Sequence, residues 1–137
     1  MYTPPHLRAA SAYKTVGAQS SVDGADAHQL IVLVFDGLLQ AVNAARGALT
    51  RGEVALKGEQ IQRAVRLLEE GLKGGLDMAR GGELARQLRA LYDYCIERLT
   101  QANLRNDGEA LAEVVRLVTP VAEGWKEMGR LRSVQPA

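Results

Sequence analysis

Residues 26–50 read DAHQLIVLVFDGLLQAVNAARGALT, and this stretch decides the fold. Leu30, Leu33, Val34, Gly37, Leu38, Ala41, Ala45 and Ala48 recur at spacings of three and four, the repeat of one helix face. Ile31, Phe35, Leu39, Val42 and Leu49 cover much of a second face. A helix so apolar on two sides must be nearly enclosed by neighbours. Its start is predicted near Asp26, whose carboxylate can cap free N–H groups while Gln29 returns the bond. Its end is predicted at about Thr50, before Gly52, giving a rod of roughly 36 Å at ~1.5 Å per residue.

C-terminal to this rod, the same periodicity predicts three more helices. From about Val54 to Arg80, Ile61, Ala64, Val65, Leu68, Leu72, Leu76 and Ala79 form a stripe opposite polar Gln62, Arg63, Arg66, Glu69 and Glu70. Gly71, Gly74 and Gly75 fall inside that pattern, each costing about 1 kcal/mol against alanine in a helix interior. Either another backbone packs closely there or this end loosens. Gly81 and Gly82 then break the chain before a seam of Leu84, Leu88, Leu91, Cys95, Leu99 and Ala102, widened by Ala85, Tyr92 and Ile96. Asp107 is the expected cap of the last helix, which bears Leu111, Val114, Val115, Val118, Val121, Ala122, Trp125 and Met128. Pro120 lacks an N–H and crowds the carbonyl of Arg116, so a kink or a break is expected there.

N-terminal to the rod the anchors thin out to Leu7, Tyr13 and Val16 among small residues. The division expected is a mobile N-terminal arm over 1–24, a helical bundle over 25–130 and a disordered tail over 131–137. No stretch alternates with strand-favouring residues, so the fold class is all-α: an antiparallel four-helix bundle with a flexible N-terminal arm or a short extra helix.

The chain's 137 residues suit one domain, and 47% hydrophobic content suffices for one core. Seventeen Lys and Arg against sixteen Asp and Glu leave a net charge of +1, so no basic field argues for nucleic acid or an anionic membrane. The longest run of large apolar residues, Leu30 to Phe35, stops at Asp36, far short of the roughly 20 needed to cross a bilayer, so no stable membrane insertion is expected. Met1 to Ala10 lacks the apolar core of a secretory signal. The lone Cys95 excludes an intrachain disulfide framework and fits a reducing compartment; cytoplasmic localisation is the expectation.

Chemistry is sparse. His6 and His28 lack the i,i+4 pair or Glu-x-x-His pattern of helical metal sites, so no metal and no cofactor are expected, and His28 reads as a surface group at a helix start. Gly71-Leu72-Lys73-Gly74-Gly75 is not a phosphate loop, since no strand precedes it and no Gly-Lys-Ser/Thr closes it. Cys95 lies on the apolar seam and reads as a small buried hydrophobe. Inward-facing carboxylates or histidines converging from several helices, which an enzyme in a bundle needs, are missing. Asp36 is different: a carboxylate behind six apolar residues needs solvent or a partner's donor. Tyr92 and Tyr94 point to different faces, so at least one presents its hydroxyl to solvent or a partner. The surplus apolar face of the first rod suits a groove for an amphipathic or extended segment, or a second copy in a homodimeric scaffold or regulator.

Three blocks carry a resemblance. They are Ala12-Tyr13-Lys14-Thr15-Val16, then Asp26-Ala27-His28-Gln29-Leu30-Ile31-Val32-Leu33-Val34-Phe35-Asp36-Gly37, and then Gly82-Glu83-Leu84-Ala85-Arg86-Gln87-Leu88-Arg89-Ala90-Leu91-Tyr92-Asp93-Tyr94. The third continues through Arg98-Leu99 and Gln101 to Asp107, with Glu113-Val114 and Trp125 beyond. In this order and spacing the chain resembles the FliS family of flagellin export chaperones over roughly residues 9–128. Ala27 stands where that family usually has proline, and Gln87 where asparagine is common.

The resemblance implies a non-enzymatic cytoplasmic chaperone that binds the disordered C-terminal segment of flagellin, prevents premature polymerisation and assists delivery to the flagellar type III export gate. It associates Tyr13 and its arm with the groove and with recognition of an export gate component. The expected partner-binding set is Tyr13, Leu30, Leu33, Val34, Asp36, Leu88, Leu91 and Tyr92, lining grooves beside the first and third strong helices. The arm is expected to fold over the empty groove and shield it.

Overall fold

In the computed structural model of the chain the described residues are 12–13 and 21–134, with side chains described at 12–13 and 27–131. Helix α1 spans Ser21–Thr50 and α2 spans Val54–Arg66, continuing as a π-helical stretch over Leu67–Lys73; α3 spans Gly82–Arg105 and α4 spans Gly108–Val134. Helix α1 packs on α2 and α4, and α3 packs on the same two, so the helices occupy the corners of a square in chain order. With connections this short, neighbours run antiparallel, as the sequence predicts. Among the described residues there is no strand, only an isolated antiparallel bridge between Tyr13 and Leu76.

The turns follow from local chemistry. At the end of α1, Gly52 adopts φ +74°, open to glycine without a Cβ penalty, and the amide of Glu53 donates back to the Ala48 carbonyl at 2.8 Å. At the end of α3, Asn106 takes φ 54°, and Asp107 then caps α4, its Oδ1 accepting from the amides of Glu109 at 3.0 Å and Ala110 at 3.2 Å. The buried ammonium of Lys57 donates to the Asn103 carbonyl at 2.9 Å and to Asn106 Oδ1, tying α2 to that turn. A lysine donating to the last carbonyls of a helix also opposes the negative end of its dipole.

Three boundaries differ from expectation. Helix α1 begins at Ser21, so Asp26 lies inside it and is not its cap. Helix α4 runs unbroken through Pro120 and on to Val134, past the expected boundary at 130. The predicted second helix ends as a regular α-helix at Arg66. After Ala64 its buried residues fall at Leu68, Leu72 and Leu76, spaced four apart. At 3.6 residues per turn each such step drifts about 40° off the stripe. The wider π-helical turn holds Leu68 and Leu72 on the core, and the amide of Gly74 donates to the Glu69 carbonyl five residues back at 2.8 Å. Of the two alternatives the glycines left open, regular α-helix gives way to the π-helical turn at this end, and what packs closely at Gly71 is a side chain: a Cβ there would lie 2.8 Å from Val34 Cγ1 of α1.

The core runs the length of the bundle: Tyr13, Tyr92, Phe35, Leu38, Val42, Ile61, Leu68, Leu72, Leu99, Leu111, Val114 and Val118 are its larger fully buried members among the described residues. By length and composition alone, Ala27–Thr50, with mean hydropathy 1.4, could cross a bilayer. In this fold it is the rod on which α2 and α4 pack.

Candidate functional site

At one end of the bundle a two-residue piece of the leading segment is docked into the core. Ala12 and Tyr13 are buried, Tyr13 to 1% exposure. The Asp77 amide donates to the Ala12 carbonyl at 2.7 Å, and Tyr13 bridges Leu76 through its backbone. The Tyr13 and Tyr92 hydroxyls hydrogen-bond at 2.5 Å, and the Tyr13 ring meets Trp125 edge to face at 5.3 Å. Burial, joined by the facing phenol of Tyr92, pushes the Tyr13 hydroxyl well above its ordinary range; burial likewise raises Tyr92. Both therefore stay protonated and pair as neutral phenols.

The residues read as partner-facing separate into three environments. Leu30 and Leu33 project from α1 into solvent, 60% and 56% exposed. Val34, Leu88 and Leu91 are half-buried against the core. Tyr92 and Tyr13 are core residues bonded to each other, so in this arrangement neither lines an open groove; of Tyr92 and Tyr94, Tyr94 is the one that reaches the surface. Asp36 accepts from Lys126 of α4 at 2.8 Å, with both side chains about half exposed, so its carboxylate is already partnered within the chain. The remaining positions expected in the arm, 1–11 and 14–20, and the tail at 135–137 lie outside the described residues.

An apolar cleft lies elsewhere, between α2 and α3. Ile61, Gln62, Val65, Arg66, Thr100, Asn103 and Leu104 line a surface cavity of about 350 Å³. Leu104 is 79% exposed at its rim. Farther along, Glu69 and Lys73 of the π-helical stretch, Gly74 and Met78 of the connection after it and Arg89 of α3 line a second cavity of about 240 Å³. Lys73 bonds Asp93 of α3 at 2.6 Å between the two, bridging the groove. On the α2 side Ile61, Val65, Glu69 and Lys73 recur every four residues, so both cavities lie along the α2–α3 interface. From Tyr92 to Thr100 is eight positions, about 12 Å of helix, so Tyr13 docks away from the apolar cleft and does not cover it.

Sequence reasoning passed over Leu104, although a signal was there: it stands off the Leu84–Ala102 seam in the last turn of a helix, where a leucine has no core to reach. His28 was also misplaced. It is 6% exposed, stacked on Trp125 at 4.4 Å, and bonded through Nε2 to the Trp125 carbonyl at 2.8 Å. Its partner is 97 positions away, and no local pattern points to it.

Opposite the groove, Tyr94 donates to Glu113 at 2.7 Å and Arg98 bonds the other carboxylate oxygen at 2.6 Å, fastening α3 to α4. These donors hold the Glu113 carboxyl below the usual range, and the bond to Glu113 raises the Tyr94 hydroxyl. Cys95 is buried, and burial pushes its thiol up to about 11, away from thiolate chemistry. Among the described residues no group of three or more His, Cys, Asp or Glu side chains is placed to hold a metal ion.

Sequence comparison places the chain. The family of the flagellar protein FliS matches residues 9–132. The flagellar secretion chaperone FliS of Salmonella typhimurium is 45% identical over 135 residues, 98% of each chain. FliSB of Pseudomonas aeruginosa, also a flagellar secretion chaperone, is 40% identical over 119 residues, 87% of this chain and 94% of that one. The FliS of Bacillus subtilis is 32% identical over 113 residues, 82% and 83% of the two chains. With the four-helix bundle already in place, these matches mean that the chain belongs to the FliS family of flagellar secretion chaperones.

Proposed function

We propose that this protein is a cytoplasmic export chaperone for flagellin, which binds the disordered C-terminal segment of the subunit, keeps it from polymerising and helps deliver it to the export gate of the flagellar type III apparatus. The observation that carries this reading is the open α2–α3 groove with its apolar cleft at Ile61, Val65 and Leu104. An exposed leucine beside an apolar cavity is the kind of anchor an amphipathic helix uses. A disordered segment that folds on the groove gives up about 2–5 kcal/mol in ordering, and apolar contact along two helices offsets that while leaving the complex reversible. Leu30, Leu33 and Val34 extend the contact surface along α1, and Leu88 and Leu91 along α3. Tyr13, Asp36 and Tyr92 take part only if the tail displaces the bonds they now make.

Family membership supports the export role, and the binding mode is the step that needs testing. Calorimetric titration of the full chain with a synthetic flagellin C-terminal peptide is expected to give saturable heat with one-to-one stoichiometry. No heat at high micromolar peptide, together with light scattering that rises with protein concentration, would favour a homodimeric scaffold that covers its leucines with a second copy.

A further inference from the structure

The Tyr13 ring packs on Trp125, and the Trp125 ring is in turn stacked on His28. Trp125 is the only tryptophan in the chain, and its indole is fixed from α1. The indole Nε1–H donates to the His28 carbonyl at 3.2 Å, and the imidazole Nε2–H donates to the Trp125 carbonyl at 2.8 Å. A carbonyl only accepts, so Nε2 carries the proton. The two rings lie nearly parallel, 8° apart with centroids at 4.4 Å. Two opposed hydrogen bonds and a stack set the rotation of the indole, and Tyr13 then meets it at 74°.

We infer that His28 is a positioning residue for the N-terminal segment: acting through Trp125, it preforms the dock in which Ala12 and Tyr13 are held. Both hydrogen bonds and the ring stack described on the indole come from α1 and α4, whereas the described part of the segment contributes the Tyr13–Trp125 edge contact, the Tyr13–Tyr92 bond, the Tyr13–Leu76 bridge and the Ala12 carbonyl. Space at the clasp is tight on its other side as well. A Cβ on Gly129 of α4 would lie 2.5 Å from His28 Nε2, so only glycine leaves the ring where it is. The inference concerns the segment's docking and does not depend on what the groove binds.

The Asp77 amide gives a direct readout, because its acceptor is the Ala12 carbonyl. Its hydrogen exchange in the full chain, measured without flagellin, reports docking of the segment, while the amides of Leu68 and Leu99 report the core. His28→Ala is expected to speed Asp77 exchange roughly tenfold or more relative to the core amides, about the effect of one lost buried hydrogen bond. His28→Gln, which can still place an N–H on the Trp125 carbonyl, should recover much of the protection. Gly129→Ala, which deletes nothing and only displaces the ring, should reproduce the alanine effect. Unchanged Asp77 exchange in both His28→Ala and Gly129→Ala would overturn the inference. So would equal acceleration of Asp77 and the core amides with no recovery in His28→Gln, which is what a purely structural histidine gives.

Discussion

The phenol oxygens of Tyr13 and Tyr92 are hydrogen-bonded across 79 positions of sequence, at 2.5 Å and out of reach of water. Each hydroxyl is the other's means of being buried. Tyr13→Phe therefore removes one bond and strands the Tyr92 hydroxyl, and is expected to destabilise the chain by about 1–3 kcal/mol. Tyr13→Phe with Tyr92→Phe strands nothing and should cost clearly less than the two single changes added together. Urea unfolding of the four chains checks this, and strict additivity would mean that the hydroxyls do not depend on each other.

The same pair fixes a behaviour at high pH. Burial raises both phenols above their ordinary range, so the folded chain holds protons that the unfolded chain gives up. A raised folded value stabilises fully below the unfolded value of about 10, and that contribution is lost as pH climbs from there through the higher folded value. Tyrosinate absorbance from these two residues is accordingly expected to appear together with loss of structure in the far-ultraviolet circular dichroism. Their smooth titration in a chain that stays folded would contradict the buried pairing.

Gly71 and Val34 form a notch and its filler, with a Cβ at position 71 falling 2.8 Å from Val34 Cγ1. Alanine at a helical position ordinarily gains about 1 kcal/mol over glycine. Here overpacking, about 1–3 kcal/mol, opposes it, and Gly71→Ala is expected to be neutral or destabilising. Adding Val34→Ala makes room, so the double change should be more stable than Val34→Ala alone. Thermal unfolding of the three variants decides it.

The fold was legible because helical periodicity reports burial without needing to know the neighbours. Gly52 and Asp107 could be read as a stop and a cap because each acts on backbone within a few residues. Less legible was which side of α1 faces inward. With two apolar faces, Leu30 and Leu33 score as well as Ile31 and Phe35, and only the position of α4 and α2 exposes the first pair. The four-residue spacing of Leu68, Leu72 and Leu76 was visible as well, yet a fixed 3.6 period absorbed it as scatter instead of reading a π-helical turn. The dock of Tyr13 was out of reach, because Leu76, Tyr92 and Trp125 converge only through the tertiary fold.

Pro120 lies inside α4 with its ring exposed, so little packing stands against what it costs the backbone. It cannot donate to the Arg116 carbonyl, and an interior proline costs about 3 kcal/mol against alanine. Pro120→Ala is expected to raise stability by roughly 1–3 kcal/mol, read from the urea midpoint at unchanged slope. If stability falls, the proline-set backbone at this position is one that the packing of α4 requires.

Leu104 and Leu33 separate the two surfaces on which a tail could lie. Both are more than half exposed, so replacing either by aspartate should move stability by no more than about 0.5 kcal/mol. Their effects on binding should differ with the path of the peptide. If the α2–α3 groove is the principal seat, Leu104→Asp puts a charge at the rim of its apolar cleft and should weaken flagellin tail affinity at least tenfold, whereas Leu33→Asp, on α1, should change it far less. The reverse order would move the seat to α1, where the periodicity first placed it. Equal and small effects from both, with binding intact, would remove the apolar cleft from the contact altogether, since a hot spot anchored on an exposed leucine cannot survive a carboxylate in its place.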